Sequence, residues 1–239
     1  METYPVRARN TVPDSENRIH DDRTAAAYGF RAGLVPGVTV YGYLTVPVVQ
    51  RFGTDWLARG GMRARFLQPV YDGDELVVTL SENGVTALRT DGTVCASGEI
   101  FWPDTPPPDP ALYPERPLPA ERPPASAECL APGRILGTLY ANLSLADHPY
   151  PVALLNLSNH LLMQNVKLGP WLHVASDVRH FSLACEGDRL AVRGRVAERF
   201  ERKCHRFVVL DVLVVADGER PIQHVRHTAI YDLRPRAGE

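Results

Sequence analysis

The residues of this chain that could do chemistry concentrate in the segment 14–37. His20 follows Asn17 at the spacing Asn-x-x-His, and Asp22 comes two residues later. A histidine can take up and release a proton near neutral pH, and neighbouring amide or carboxylate groups can orient it. We therefore expect a proton-transfer site in this segment, with His20 as its principal acid or base.

The same segment ends in a feature that suits a developing negative charge. Gly37 precedes a predicted helix over residues 38–52 and follows Val35 and Pro36. The first N–H groups of a helix have no intrahelical acceptor and point toward an incoming anion, and glycine leaves the backbone open to a ligand. Residues 35–37 are therefore candidates for an oxyanion or substrate-binding site.

Two aromatic side chains, Tyr41 and Tyr43, follow in the first turns of this predicted helix. Their position beside the candidate site makes contact with a substrate one interpretation. Core packing is at least as common for aromatic residues in such a helix. Both tyrosines stay candidate substrate-binding residues at this point.

The segment resembles the signature of the MaoC-like, (R)-specific enoyl-thioester hydratases and dehydratases, which have a hotdog fold. The positions that fall in or close to the signature are Asn17, His20, Asp22, Ala26, Gly29, Phe30 and Gly37. Pro36 replaces the family's histidine, and Ser15 occupies the place of its catalytic aspartate. The resemblance implies that His20 is the acid or base, that Asn17 orients the loop or the water, and that Gly37 lies at the oxyanion site.

The missing aspartate leaves the second proton-transfer group open. Asp14 is adjacent to the vacant position and can replace it if the loop bulges by one residue, with Glu16 as a less favoured candidate. Neighbouring residues of an extended segment face opposite ways, which works against such an offset. Alternatively, Asp14 only begins a turn after Pro13.

Composition narrows the class of protein. The chain has 239 residues, 44% of them hydrophobic, and a formal net charge of −2, which implies no general attraction to nucleic acid or to an anionic membrane. Its four cysteines form no CxxC pair, and no apolar run is long enough to span a bilayer, so we expect a cytoplasmic protein. We expect no metal and no redox cofactor, because zinc-ligand spacings and a Gly-rich nucleotide loop are both missing.

The chain divides into two comparable parts. Ten prolines lie between Pro103 and Pro124, and such density prevents a continuous helix or a central strand. We therefore predict an N-terminal domain over residues 1–103, a semi-rigid linker over 104–132 and a C-terminal domain over 133–239.

The two parts show a faint internal duplication. Gly73-Asp74 and Gly187-Asp188 each precede a long predicted strand, and Asp91-Gly92 and Asp217-Gly218 are each typical of a hairpin turn. Each part also contains one long apolar helix ahead of its main strands. With the family resemblance, this predicts an α+β protein with a tandem (double) hotdog fold, in which each half wraps an antiparallel sheet around a central helix.

The second half lacks the Asn-x-x-His signature and is the expected degenerate partner. Its corresponding segment begins with Asp147 and His148, and its predicted helix over residues 152–166 carries Asn156, Asn159 and His160 on one face. These polar residues could line an acyl pocket or a thioesterase-like site. We favour a structural role, in which they cap the helix or form hydrogen bonds between the halves.

The leading hypothesis is a hydratase or dehydratase that adds or removes water across the C2–C3 bond of an acyl thioester carried by coenzyme A or an acyl carrier protein. Three alternatives stay open: a hotdog thioesterase, an isomerase or cyclase of specialised metabolism, and a non-catalytic acyl-binding module. The sequence leaves the choice between a monomer and a homodimer open.

Overall fold

The computed structural model describes residues 2–82, 84–143 and 149–235. Within them, each part of the chain contains five strands. The first part comprises β1 (Glu2–Arg7), α1 (Asp22–Ala27), α2 (Gly37–Arg59), β2 (Gly61–Phe66), β3 (Glu75–Ser81), β4 (Gly84–Arg89) and β5 (Val94–Phe101). The second comprises β6 (Leu139–Asn142), α3 (Tyr150–Asn165), β7 (Leu172–His180), β8 (Arg189–Arg202), β9 (His205–Ala216) and β10 (Arg220–Asp232).

The described strands form one antiparallel sheet in the order β1-β3-β4-β5-β2-β7-β10-β9-β8-β6. The two parts meet where β2 pairs with β7, in a register that runs from Gly61 opposite Arg179 to Arg65 opposite Ala175. On either side of this junction the strands follow in the same internal order, with the first strand of each part at an outer edge. An ion pair of 2.6 Å between Arg65 and Asp177 also crosses the junction.

Turn chemistry explains the hairpins that the sequence predicted. Gly92 and Gly218 have φ values of 84° and 86°, a backbone region that glycine enters at little cost. Each glycine lies in the turn that joins two neighbouring strands, β4 to β5 and β9 to β10. The predicted hairpins at Asp91-Gly92 and Asp217-Gly218 are therefore confirmed.

Helix α2 is interrupted near its end. Gly53 has φ 62° and ψ −153°, a conformation that is essentially restricted to glycine. The predicted helix over residues 38–52 therefore corresponds to the regular part of α2, and a further turn continues to Arg59. Trp56 in that last turn is fully buried and anchors it to the core.

The core lies between the sheet and the two long helices. A Cβ atom added to Gly42 of α2 would lie only 2.6 Å from Val152 Cγ2 of α3, so the helices approach each other closely at this glycine. The largest apolar side chains near this contact are fully buried: Tyr41, Leu44, Leu154 and Leu155. This close contact packs the second turn of α2 against the first turn of α3.

The sequence pattern over residues 134–142 predicts one strand, but in the structure β6 covers only Leu139–Asn142. The side chain of Asn165 explains the difference, because it accepts from Gly137 N–H at 2.6 Å and donates to Gly137 C=O at 3.0 Å. It therefore occupies the backbone groups that a longer strand would use. Ile135 still forms an isolated bridge with Arg195.

The proline-rich segment packs along the second part. The Tyr113 side chain is buried against Leu213 and Val215, and its hydroxyl donates to Asp211 at 2.9 Å. Burial raises the pKa of the Asp211 carboxyl, but hydrogen bonds from His224, Tyr113 and Arg195 outweigh that effect and lower the pKa to about 2. A second contact joins the segment to α3, since Arg122 donates to the carbonyl of Met163 at 2.9 Å.

None of the helices in the described ranges is both long and apolar enough to span a membrane.

Candidate active site

A cavity of about 410 Å³ lies where the signature segment, the start of α2 and the middle of α3 meet. Its polar lining residues come from both parts of the chain. From the first part they are Thr11, Ser15, Asn17, His20, Thr39 and Gln68, and from the second part Asn156, Asn159, His160 and His173. The cavity is therefore composite, with proton-transfer and hydrogen-bonding groups from two distant stretches of sequence.

A short turn fixes His20 at this cavity. His20 ends a 3₁₀ helix over Arg18–His20, and its carbonyl accepts from Asn10 Nδ2 at 2.7 Å. Its ring Nδ1 lies 2.7 Å from the carbonyl oxygen of Leu34, an acceptor, so Nδ1 carries the proton. Burial lowers the pKa of His20 below 6.5, although the hydrogen bond to Leu34 opposes the effect. The imidazole is thus neutral at pH 7.

Asn17 determines whether the other ring nitrogen of His20, Nε2, donates or accepts a hydrogen bond. Its Oδ1 accepts from Trp171 N–H at 3.2 Å, and its Nδ2 donates to Trp171 C=O at 3.0 Å. These two bonds fix the orientation of the amide, so that the second hydrogen of Nδ2 is directed to His20 Nε2 at 3.3 Å. Nε2 is therefore an acceptor, as a general base must be.

The first turn of α2 lines the cavity beside His20. Val35, Pro36, Gly37 and Val38 all contribute to its wall. The N–H groups of Gly37 and Val38 precede the first intrahelical donor, because the carbonyl of Pro36 accepts from Thr39 and Val40 at 2.9 and 3.1 Å. They are the groups that could stabilise a negatively charged oxygen.

A buried histidine, which sequence reasoning did not assign to the site, lies against this turn. A Cβ atom on Gly37 would come within 3.0 Å of His173 Nδ1, and His173 lines the cavity. Its Nε2 lies 2.8 Å from Ser176 Oγ, which in turn lies 3.2 Å from His227 Nδ1. Burial lowers the pKa of His173 well below 6.5, and the nearby His227 adds to the effect. Its sequence signal was only a histidine just before a predicted strand.

The polar face of α3 forms the opposite wall. Asn159 Nδ2 donates to Asn156 Oδ1 at 3.0 Å, and Asn156 Nδ2 donates to His160 Nε2 at 3.3 Å. Asn159 is buried, whereas His160 is exposed at the cavity mouth. The residues that we favoured as structural groups therefore contribute to the same cavity as His20.

The cavity lining contains no carboxylate among the described residues. Asp14 is exposed and lies outside the lining. Glu16 forms an ion pair of 2.8 Å with Arg122, and Asp22 accepts from Gly33 N–H at 2.8 Å. The last two carboxylates thus stabilise the surroundings of the site, and neither faces the cavity.

The structure places the other predicted residues as follows. Tyr41 is fully buried in the core, and its burial raises the pKa of the hydroxyl. The Tyr43 hydroxyl accepts from Arg9 N–H at 3.1 Å. Neither tyrosine lines the cavity. Asp147 and His148 lie outside the described residues.

A cation site is not formed in the described ranges, where no group of three histidine, cysteine, aspartate or glutamate side chains converges. The four cysteines are free thiols.

Comparison with known proteins identifies the fold. No protein-family model and no curated sequence matches this chain. A candidate MaoC-domain dehydratase from Chloroflexus aurantiacus J-10-fl superposes with a TM-score of 0.60 at 11% identity, covering 98% of this chain and 95% of the other. A candidate oleoyl thioesterase from Lactobacillus plantarum gives 0.55 at 13% identity, covering 97% and 96%.

An N-terminal dehydratase from the difficidin assembly line is also similar, with a TM-score of 0.54 at 11% identity and coverage of 98% and 93%. The chain therefore has a hotdog fold. At these identities the likeness extends to the fold alone. Because dehydratases and thioesterases are both among the similar structures, the choice between those reactions depends on the chemistry of the cavity.

Proposed function

We propose that this protein is an acyl-thioester hydratase or dehydratase, which adds or removes water across the C2–C3 bond. The observation that carries the proposal is the neutral His20, whose Nε2 is an acceptor in a cavity that also contains the first N–H groups of α2. Hydration needs a base for the water and donors for the enolate oxygen. Both line the same cavity.

In the proposed reaction, His20 transfers one proton from water to C2 and returns to its starting state. The thioester carbonyl accepts hydrogen bonds from the N–H groups of Gly37 and Val38. Water first replaces Asn17 Nδ2, which lies 3.3 Å away, as the donor to the single lone pair of His20 Nε2. Nε2 then removes a proton from this water, whose oxygen forms a bond to C3 while the C2–C3 π electrons move toward the carbonyl. The imidazolium then returns that proton to C2, which restores the neutral histidine. Dehydration is the reverse sequence.

One histidine can serve both steps if water and proton are added to the same face of the double bond. This requirement follows from the cavity lining, which has no carboxylate among the described residues. Asn17 has a positioning role in the scheme, because its link to Trp171 keeps Nδ2 beside Nε2. Asp14 is not needed.

We also propose that residues 1–103 and 133–239 are two copies of one hotdog unit, joined by residues 104–132. The shared internal strand order on either side of the β2–β7 junction supports this arrangement. In it, the first unit supplies His20 and the second supplies the polar face of α3. A single chain then contains one working site, and the second unit is the degenerate partner.

The proposal is tested by ultraviolet absorbance with crotonyl-CoA and a longer trans-2-enoyl-CoA, with a thiol reagent in a parallel cuvette. A hydratase removes the enoyl band without releasing thiol. Hydrolysis of the thioester also removes this conjugated band, but it releases one equivalent of thiol; if loss of the band is matched by thiol release, the proposal fails. If neither signal changes, the protein binds acyl groups without turnover or acts on another substrate.

A thioesterase is the second candidate, and the polar face of α3 favours it. Asn156, Asn159 and His160 line the cavity opposite His20 and could direct water to the thioester carbonyl. Thiol release would then be more sensitive to Asn159→Leu or His160→Ala than to His20→Ala. A hydratase shows the opposite order of sensitivity.

A further inference from the structure

The cavity wall formed by α3 is more polar than a site for an unsubstituted acyl chain needs to be. Binding sites for apolar groups are lined predominantly by apolar side chains, with a few polar groups that provide specificity. Here Asn156 and Asn159 stand side by side on the wall. We propose that the acyl group bound here carries a hydroxyl beyond the C2–C3 bond, and that Asn159 Oδ1 accepts its hydrogen bond. This inference rests on the proposed function.

The hydrogen bonds between the polar side chains of α3 leave one acceptor, Asn159 Oδ1, without a donor among the described residues. Asn159 Nδ2 donates to Asn156 Oδ1, and Asn156 Nδ2 donates to His160 Nε2. Each amide nitrogen therefore donates one hydrogen bond, whereas Asn159 Oδ1 has no hydrogen-bond partner among the described residues. The missing partner is a hydrogen-bond donor, which excludes a carboxylate or carbonyl of the ligand as the matching group.

An amide oxygen that is buried without a hydrogen-bond donor is energetically unfavourable. Asn159 is only 7% exposed, and a buried acceptor without a donor loses the hydrogen bonds that water would otherwise supply. A ligand hydroxyl restores one of them when a small rotation of the amide turns Oδ1 toward the cavity. Sites that pair a buried polar group with a substrate hydroxyl discriminate against analogues that lack it.

Depth in the cavity indicates which part of the thioester supplies the donor. His160 is exposed at the mouth, whereas Asn159, on the same helix, is buried. The nucleotide of coenzyme A, or the body of a carrier protein, is too large to enter about 410 Å³ and stays at the mouth, while the thioester lies at the first turn of α2. The acyl chain is the part that reaches Asn159, so the donor belongs to the acyl chain and not to the amide groups of the carrier arm.

The test uses binding, so that it does not depend on turnover. Wild-type protein is titrated calorimetrically with S-hexyl-CoA and with analogues that carry a hydroxyl on the fourth, fifth or sixth carbon. We expect at least one hydroxylated analogue to bind on the order of tenfold more tightly than S-hexyl-CoA, as one good hydrogen bond to a buried group allows. Asn159→Leu should abolish this preference.

Ser158→Ala is the matched control. Ser158 is the neighbouring residue on α3, and its Oγ is also buried without a partner among the described residues, but it does not line the cavity. This variant should keep the preference for the hydroxylated analogue. The comparison in the wild type stands even if Asn159→Leu does not fold.

Three results would overturn the inference. If S-hexyl-CoA binds as tightly as every hydroxylated analogue, the cavity does not select a hydroxyl, although hydration of crotonyl-CoA could still occur. If Asn159→Leu weakens all analogues equally, Oδ1 contacts the carrier arm. If no analogue binds while the protein is folded, the acyl site itself is wrong and the proposed function fails with it.

Discussion

The side chain of Asn17 forms hydrogen bonds with both the N–H and the C=O of Trp171, although the two residues are 154 positions apart in the sequence. Oδ1 accepts from Trp171 N–H at 3.2 Å and Nδ2 donates to Trp171 C=O at 3.0 Å. This pair of hydrogen bonds joins the signature segment to the second part of the chain just before β7. It also fixes the amide that faces His20 Nε2, so one side chain both contributes to the contact between the two parts of the chain and orients a donor beside the ring of His20.

Replacing Asn17 with aspartate should change the pH dependence of turnover. A carboxylate beside Nε2 favours the imidazolium, so the pKa of His20 should rise and the acid limb of the kcat/KM profile should move up by about one pH unit or more. Asn10→Ala is the control, because Asn10 bonds the His20 carbonyl and not its ring Nε2. An unshifted limb in Asn17→Asp would show that Nε2 is not the titrating base.

Gly37→Ala should lower both stability and turnover. Alanine is normally about 1 kcal/mol better than glycine in a helix, but its Cβ would lie 3.0 Å from His173 Nδ1. Ser176 holds that ring at 2.8 Å and limits its movement, so we expect a net loss of about 1–3 kcal/mol. Turnover falls because the displaced turn carries the N–H groups that bind the carbonyl.

Thermal unfolding of Gly37→Ala, compared with that of the control variant Gly169→Ala, tests this prediction. A Cβ atom on Gly169 meets nothing within 4 Å, so that variant should unfold at or near the wild-type temperature. A Gly37→Ala protein as stable and active as the wild type would mean that the first turn of α2 has room for a side chain.

Three buried histidines should make the protein less stable in acid. Burial lowers the pKa of His180 to about 4 and that of His227 to about 3, and that of His173 also lies well below 6.5. The unfolded chain therefore binds more protons than the folded chain below about pH 6.5, and stability rises with pH in this range. His180 and His227 should each cost about 2 kcal/mol at pH 5 relative to neutral pH, from 1.36 kcal/mol per pKa unit, and His173 acts in the same direction.

Urea unfolding at several pH values measures this dependence. The free energy of unfolding should be level above about pH 7 and fall between about pH 6.5 and pH 4. His180→Gln should flatten the slope by about one proton, since His180 packs against Trp56 away from the cavity lining. A slope that is the same in wild type and variant would contradict the assignment of a neutral His180.

Much of the fold was predictable from local signals, and the limits of that prediction have physical causes. Alternating apolar residues and the Asp-Gly turns identified the long strands, because register and turn geometry are local properties. The strand predicted over residues 134–142 was too long at its start, because Asn165 of α3 forms hydrogen bonds with both backbone groups of Gly137. No pattern within the strand itself reports such a contact.

The site was predictable only in its first half. The spacing of Asn17 and His20 identified the turn, since both residues lie in one short segment. The contribution of α3 depends on how the two long helices pack at Gly42 and Val152, which the sequence pattern does not specify. The place of His173 likewise follows from the pairing of β2 with β7, a contact between strands far apart in the chain.

The most direct test of the central claim is the initial rate at which crotonyl-CoA loses its enoyl absorbance without releasing thiol, measured in wild type, His20→Ala and Asp14→Ala. We expect His20→Ala to lose about 10²–10⁴-fold in rate, the usual contribution of general acid–base catalysis, while circular dichroism shows an unchanged fold. Asp14→Ala should stay within about twofold of wild type, because Asp14 is exposed and outside the cavity lining. Full activity in His20→Ala, or a loss that follows Asp14 instead, would contradict the account.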